Sequence, residues 1–144
     1  MPDTYLVQCS NCGTRNRIPQ GKTQQQGKCG RCGTPLVRSH SIPLSVTDET
    51  WDREVLGSTL PTIVEVWSPQ CGVCSQYEVS VRHMAVNLFG KARVLQLNAE
   101  ESPRTAQRYG IRGVPTILLF RDGNLLTTLV GPQGETGLRR ALGI

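Results

Sequence analysis

The sequence predicts an α/β fold, a mixed sheet flanked by helices, preceded by a small cysteine-rich unit. Three observations predict it. From Thr47 onward, β-branched strand runs alternate with segments of helical period. Asp122-Gly123, a two-residue hairpin signal, sits between the last two strand runs and adds an antiparallel edge to a parallel sheet. Four of the six cysteines and the whole charge excess lie in residues 1–40, which marks two units: 1–40 and 41–144.

Composition bounds the rest. The chain has 144 residues, 38% hydrophobic and 19% charged, as in a globular protein. That excludes a collagen-like chain, a coiled coil and a wholly disordered chain. No apolar run approaches the ~18 residues of a membrane span. Met1 to Tyr5 carries no basic, then apolar, export pattern, so no secretory signal is expected. Residues 1–40 hold six basic residues and one acid, net +5, while residues 41–144 hold ten of each.

Taken in chain order, the first unit is built on a repeat. Cys9-Ser10-Asn11-Cys12-Gly13-Thr14 returns as Cys29-Gly30-Arg31-Cys32-Gly33-Thr34, with 16 residues between the cysteine pairs. This is the spacing of a four-cysteine zinc site. Each tight Cys-x-x-Cys turn supplies two corners of a tetrahedron. The glycine after each second cysteine permits φ > 0 and lets the turn aim N–H groups at the thiolates. A disulfide framework and an iron–sulfur cluster are the alternatives. About 40 residues bury too little to fold unaided, so one structural zinc ion would supply much of the stability. Four thiolates and one zinc cut the local charge from +5 to about +3. With Tyr5 as the segment's one aromatic, no nucleic-acid partner is expected.

Residues 38–45 read as a linker entering a strand, with His40 a solvated histidine in it. Thr47-Asp48-Glu49 looks like a helix start, followed by Trp51, Val55 and Leu56 at helical spacing. Thr62 to Ser68 is a buried strand, and Gly72 to Phe89 a helix with Cys74, Tyr77, Val81, Met84 and Leu88 on one stripe. Ala92 to Asn98 is a strand. Pro103 opens a short helix ending near Gly110. Thr116 to Phe120 and Leu125 to Val130 flank the hairpin turn, and Glu135 to Leu142 is a closing helix.

The third pair, Cys71-Gly72-Val73-Cys74, lies between a buried strand and an amphipathic helix, with no glycine after it. A thiol at a helix N-terminus feels the positive end of the dipole, which favours thiolate. Cys74 shares the apolar stripe and faces inward, while Cys71 precedes the helix and faces outward. Cys71 is then the attacking thiol and Cys74 the resolving one. Half a metal site and a pair of structural cysteines are the alternatives. Glu65, on the face of Ile63 and Trp67, should have a raised pKa and could take the Cys74 proton. His83 reads as an exposed helical histidine.

At this point Trp67 to Cys74, Tyr109 to Thr116 and Gly131 resemble thioredoxin over residues 42–144. With the four-cysteine ribbon and Asn16-Arg17-Ile18-Pro19, the whole chain is similar to the second, zinc-binding type of bacterial thioredoxin. The resemblance implies a thioredoxin-like mixed sheet and a protein disulfide reductase. Such an enzyme is a cytoplasmic electron carrier with a redox-active disulfide and no bound organic cofactor. NADPH-dependent thioredoxin reductase and oxidised proteins would be its partners, with no membrane partner. Pro115 matches the family's cis-proline and Trp67 its active-site tryptophan. Gly72, Val73, Val114 and Gly131 match the peptide-binding groove, and Glu65 stands where a buried Asp is usual. Gln70 and Val73 depart from the usual Trp-Cys-Gly-Pro-Cys, and Val79 replaces a kinking proline. An extra N–H from Val73 near the sulfurs would favour thiolate and a potential less reducing than about −270 mV. A thiol oxidase or isomerase would use the same residues. A zinc-ribbon adaptor with a thioredoxin-like docking domain would not need Cys71 and Cys74.

Overall fold

The computed structural model describes residues 4–9, 11–19, 28–34 and 43–144. The first unit contributes an antiparallel hairpin, β1 (Thr4–Gln8) and β2 (Arg15–Pro19), with Gln8 opposite Arg15. His40 and residues 38–42 of the expected linker lie outside the described residues. The remainder forms a five-stranded sheet in the order β3-β5-β4-β6-β7. Its strands are β3 (Leu44–Val46), β4 (Thr62–Trp67), β5 (Arg93–Asn98), β6 (Thr116–Arg121) and β7 (Asn124–Val130). β3, β5 and β4 run parallel, and β6 and β7 add antiparallel pairs, as the sequence pattern predicts.

The helices are α1 (Gly72–Asn87), α2 (Pro103–Arg108) and α3 (Glu135–Leu142). They cover the sheet because alternate strand residues are apolar on both faces. On one face Tyr77, Val81, Met84 and Leu88 of α1 pack with Leu138 and Leu142 of α3 on Ile63, Val94, Ile117 and Leu119. On the other, Trp51 and Val55 pack with Tyr109 on Val64, Leu95, Leu97, Leu118 and Phe120. Trp51 also donates its indole N–H to the Tyr109 hydroxyl at 3.1 Å. α1 runs unbroken through Val79.

The first helix buries Trp51 and Val55 as its spacing predicts, but it starts later than its expected cap. The segment after β3 is a turn and then a single π-helical turn, Asp52–Leu56, which Gly57 ends. Thr47 does not cap it; its N–H bonds to Thr50 Oγ1 at 2.9 Å. Asp48 caps a different helix. Its Oδ1 accepts the N–H of Thr105 at 2.8 Å and its Oδ2 the N–H of Arg104 at 3.3 Å, at the start of α2. Ser102, before α2, makes no side-chain bond to its own helix. Instead its hydroxyl accepts the Asp48 N–H at 3.2 Å. The exchange joins segments 54 residues apart, a distance no local motif reveals.

The hairpin turn follows its signal. Asp122 and Gly123 both take positive φ, 52° and 78°, matching the twist of β6 and β7. A Cβ on Gly123 would stand 2.7 Å from the Leu56 carbonyl oxygen, so the turn also needs the missing side chain. At the end of the sheet where β4 and β5 begin, buried Glu54 pairs with Arg93 at 2.7 Å. Arg15 of β2 lies 3.8 Å from the same carboxylate. The third cysteine pair stands beyond the opposite end of β4.

Candidate functional site

β4 ends at Trp67 and a short loop turns into α1. Cys71 is the residue that caps this helix, with an extended backbone (φ −88°, ψ 109°). Its Sγ accepts the N–H of Cys74 at 3.0 Å. The two cysteines form a disulfide with Cα atoms 5.2 Å apart. Cys74 is buried and Cys71 half-buried, so the outer and inner sulfurs fall as the helical stripe predicts. The 16-residue helix directs the positive end of its dipole at Cys71.

The N–H at the outer sulfur is that of Cys74, not the extra one expected from Val73. A proline at 73 would leave it in place, so this contact gives Val73 no influence on the potential.

Residues distant in sequence close around the pair. The Val114 carbonyl oxygen is 3.6 Å from Cys71 Sγ, and the Val114–Pro115 peptide is cis. The Pro115 carbonyl accepts the Gly131 N–H at 2.8 Å, which ties the loop before β6 to the end of β7. Gly72 and Val73 are exposed at the start of α1. Cys71, Gly72, Val73, Val114, Pro115 and Gly131 therefore form one neighbourhood at the end of the sheet.

Behind the disulfide is a cavity of about 350 Å³, lined by Glu65, Trp67, Cys74, Ser75, Glu78 and Gln96 among others. Glu65 is almost wholly buried at 1% exposure. Burial pushes its carboxyl above the usual range; the Gln96 amide opposes this, and the charge of Glu78 adds to it. Gln96 stands directly opposite Glu65 in the parallel pairing of β4 and β5. Its Nε2 donates to Glu65 Oε1 at 2.8 Å and to Glu78 Oε2 at 2.8 Å. Glu65 Oε2 has no hydrogen-bond partner among the described residues.

Sequence reasoning found Glu65 and missed Gln96 and Glu78. Both had a signal. Gln96 interrupts the apolar run of β5, and Glu78 follows Cys74 by four residues, one turn along the same helix face. His83 is exposed on α1, as expected.

The two knuckles fold alike. Cys9 N–H bonds the Thr14 carbonyl and Cys29 N–H the Thr34 carbonyl, both at 2.8 Å. Gly13 and Gly33 take φ of 76° and 77°. The Asn11 N–H reaches Cys9 Sγ and the Arg31 N–H reaches Cys29 Sγ, each at 3.4 Å. Asn16 ties the knuckles together by accepting the Gly30 N–H at 2.9 Å. The sulfurs of Cys9, Cys12, Cys29 and Cys32 lie within 4.8 Å of one another. Cys9 and Cys32, and Cys12 and Cys29, stand 3.6 Å apart, close to the ~3.8 Å edge of a tetrahedron of 2.3 Å metal–sulfur bonds. Hydrogen bonding to the Thr34 side chain and backbone lowers the Cys32 thiol to about 5. N–H groups of Cys32 and Arg31 lower that of Cys29. Four clustered sulfurs, with backbone N–H donors on Cys9 and Cys29, fit a thiolate metal site.

Comparison with known proteins bears on both units. The family profile described as Thioredoxin matches residues 42–143. The profile described as Thioredoxin 2, N-terminal, matches residues 8–34. Thioredoxin 1 of Synechococcus elongatus is 37% identical over 102 residues, which is 71% of this chain and 95% of that protein. Thioredoxin of Rickettsia felis is 38% identical over 94 residues, 65% of this chain and 90% of its own length. Thioredoxin M2, chloroplastic, of Arabidopsis thaliana is 39% identical over 97 residues, 67% of this chain and 52% of that protein.

Proposed function

The chain belongs to the thioredoxin family and is a protein disulfide reductase acting by thiol–disulfide exchange, and from that premise we propose how its residues divide the reaction. Cys71, as thiolate, attacks one sulfur of a substrate disulfide. A Cys71–substrate bond forms, and the other substrate sulfur leaves as a thiolate that takes a proton from solvent. Cys74 gives its proton to the Glu65 carboxylate, directly or through a cavity water, and its sulfur attacks Cys71 Sγ. The Cys71–Cys74 disulfide forms and the second substrate thiolate departs. Two electrons have passed from the dithiol to the substrate. The observation that carries this reading is the asymmetry of the pair: Cys71 is half-buried at a helix N-terminus, and Cys74 is buried beside a carboxyl of raised pKa.

Pro115, with the Val114 carbonyl and the Gly131 bonded to it, forms one wall of the substrate groove, the exposed Gly72-Val73 edge forms the other, and Trp67 lines the cavity behind. An extended peptide laid between them brings its disulfide onto Cys71. An NADPH-dependent thioredoxin reductase returns the disulfide to dithiol. Residues 1–40 are the ribbon unit and 41–144 the catalytic domain; Cys9, Cys12, Cys29 and Cys32 would hold one zinc ion in the first. Bound there, zinc would supply cross-links in place of a core. The tetrahedral fit of four sulfurs supports zinc, and four free thiols suit a reducing, cytoplasmic setting. Among the described residues no helix is long and apolar enough to cross a membrane.

Reduction of insulin disulfides with dithiothreitol as electron source tests the division. The wild type should accelerate it, and Cys71→Ser and Cys74→Ser should both abolish turnover. Full acceleration by Cys71→Ser would overturn the reading.

A further inference from the structure

The cavity holds a second carboxyl that the reaction above does not use. Glu78 lies one helical turn beyond Cys74, half-exposed where the cavity opens. An amide nitrogen carries two hydrogens. Gln96 commits Nε2 to Glu65 on one side and Glu78 on the other, each at 2.8 Å. The buried carboxyl and the outer one are thus held either side of a single nitrogen. Outside them, Arg82 Nε meets Glu78 Oε1 at 3.2 Å. The series Glu65, Gln96, Glu78, Arg82 runs from the buried face of β4 to solvent.

We propose that Glu78 is a positioning residue for disulfide exchange: clamped against Glu65 by the shared Gln96 amide, its charge strengthens the buried acid as a proton acceptor for Cys74, and Arg82 moderates that charge from outside. The proposal rests on Glu65 receiving the Cys74 proton. Two carboxylates across one donor repel, so the charge of the outer one makes the inner one bind a proton more readily. In resolution the Cys74 S–H bond breaks and the proton passes to Glu65. The sulfur pair forms the bond to Cys71 Sγ, and the Cys71–substrate bond breaks with its pair on the substrate sulfur. The proton then leaves Glu65 for bulk water through the cavity, whose volume of about 350 Å³ holds several waters. Burial and the Glu78 charge push Glu65 in the same direction. The titratable and charged groups on this side are Cys74, Tyr77, Glu78 and Arg82, all from α1. β5 presents the neutral Gln96, and β6 presents apolar Ile117 opposite Glu65.

Neutralising the two surface charges should move Glu65 in opposite directions, which a structural role would not do. The test follows the Glu65 side-chain carbon by NMR across pH in the reduced full-length protein, in wild type, Glu78→Gln and Arg82→Gln. Glu78→Gln should shift the Glu65 midpoint acidward and Arg82→Gln should shift it upward. The pH inflection for resolution of a preformed mixed disulfide should move with each. Midpoints that stay put, or that move the same way in both variants, would overturn the proposal. Glu65→Gln separates the two readings: if it resolves the mixed disulfide at the wild-type rate, Glu65 is not the acceptor, whatever the titrations show about Glu78.

Discussion

The Cys74 backbone N–H donates a 3.0 Å hydrogen bond to Cys71 Sγ, so the first turn of α1 turns its own donor onto the sulfur that caps it. A thiolate at that position keeps the donor and faces the helix dipole, whereas a thiolate at Cys74 would sit buried. With less than one equivalent of iodoacetamide, the freshly reduced protein should therefore be labelled at Cys71 in preference to Cys74 by about tenfold or more. Peptide mass mapping reads the ratio, and equal labelling would contradict the asymmetry.

Burial of Glu65 costs stability, and the proposed proton transfer from Cys74 is what that cost would serve. Replacing Glu65 by Gln should slow resolution of a mixed disulfide about 100-fold near neutral pH while leaving alkylation of Cys71 much less affected. The same variant should gain stability. A carboxyl whose folded pKa lies above its ordinary 4.5 costs nothing below that value. Its penalty opens as pH rises from there and levels off above the folded pKa. Urea unfolding of the oxidised forms should show Glu65→Gln ahead by about 1–3 kcal/mol at pH 8 and the gap closing towards pH 4. A gap independent of pH would contradict burial as the cause of the raised pKa.

Asp48 carries the opposite sign. Hydrogen bonds from Thr105 and Arg104, with the Arg104 charge, hold its carboxyl below the ordinary 3.8 against the opposing effect of burial. Its contribution is present above that value and is lost as pH falls through the folded pKa. Asp48→Asn should cost about 1–2 kcal/mol at pH 7, as loss of a helix cap does, and progressively less below about pH 4. Denaturant midpoints at both pH values check it.

The strands were legible because their patterns are local: the apolar run 62–67, the Asp-Gly turn and the helical stripe after Cys74 each decide a few neighbouring residues. The clustering of the four ribbon cysteines was legible because a repeated knuckle encodes its own geometry. The start of the first helix was misread because Asp48, one of the acids assigned to its first turn, serves a helix 57 positions later. The burial of Glu65 was read from strand alternation alone. Its partners were not, because Gln96 reaches it only through the pairing of β4 with β5, and pairing is not written in either strand. The closing of Val114, Pro115 and Gly131 round the sulfurs is likewise a product of topology, and came from the sequence only as a resemblance.

The ribbon and the dithiol should separate by chemistry. Purified protein should carry about one zinc ion per chain. Stripping it with a strong chelator should expose four further titratable thiols and unfold the β1–β2 hairpin, since the metal supplies what the small core cannot. Insulin reduction by Cys71 and Cys74 should persist. Metal analysis, thiol titration and amide NMR together check this. A full metal load in a Cys29→Ser Cys32→Ser double variant would contradict the assigned ligands.

The most direct measurement of the central claim is covalent trapping. The Cys74→Ser and Cys71→Ser variants are each reduced, mixed with an oxidised protein substrate and mapped by mass spectrometry. The account predicts that Cys74→Ser accumulates a substrate disulfide on Cys71 and that Cys71→Ser accumulates none on Cys74. A stable adduct on Cys74, or none on Cys71, would contradict it.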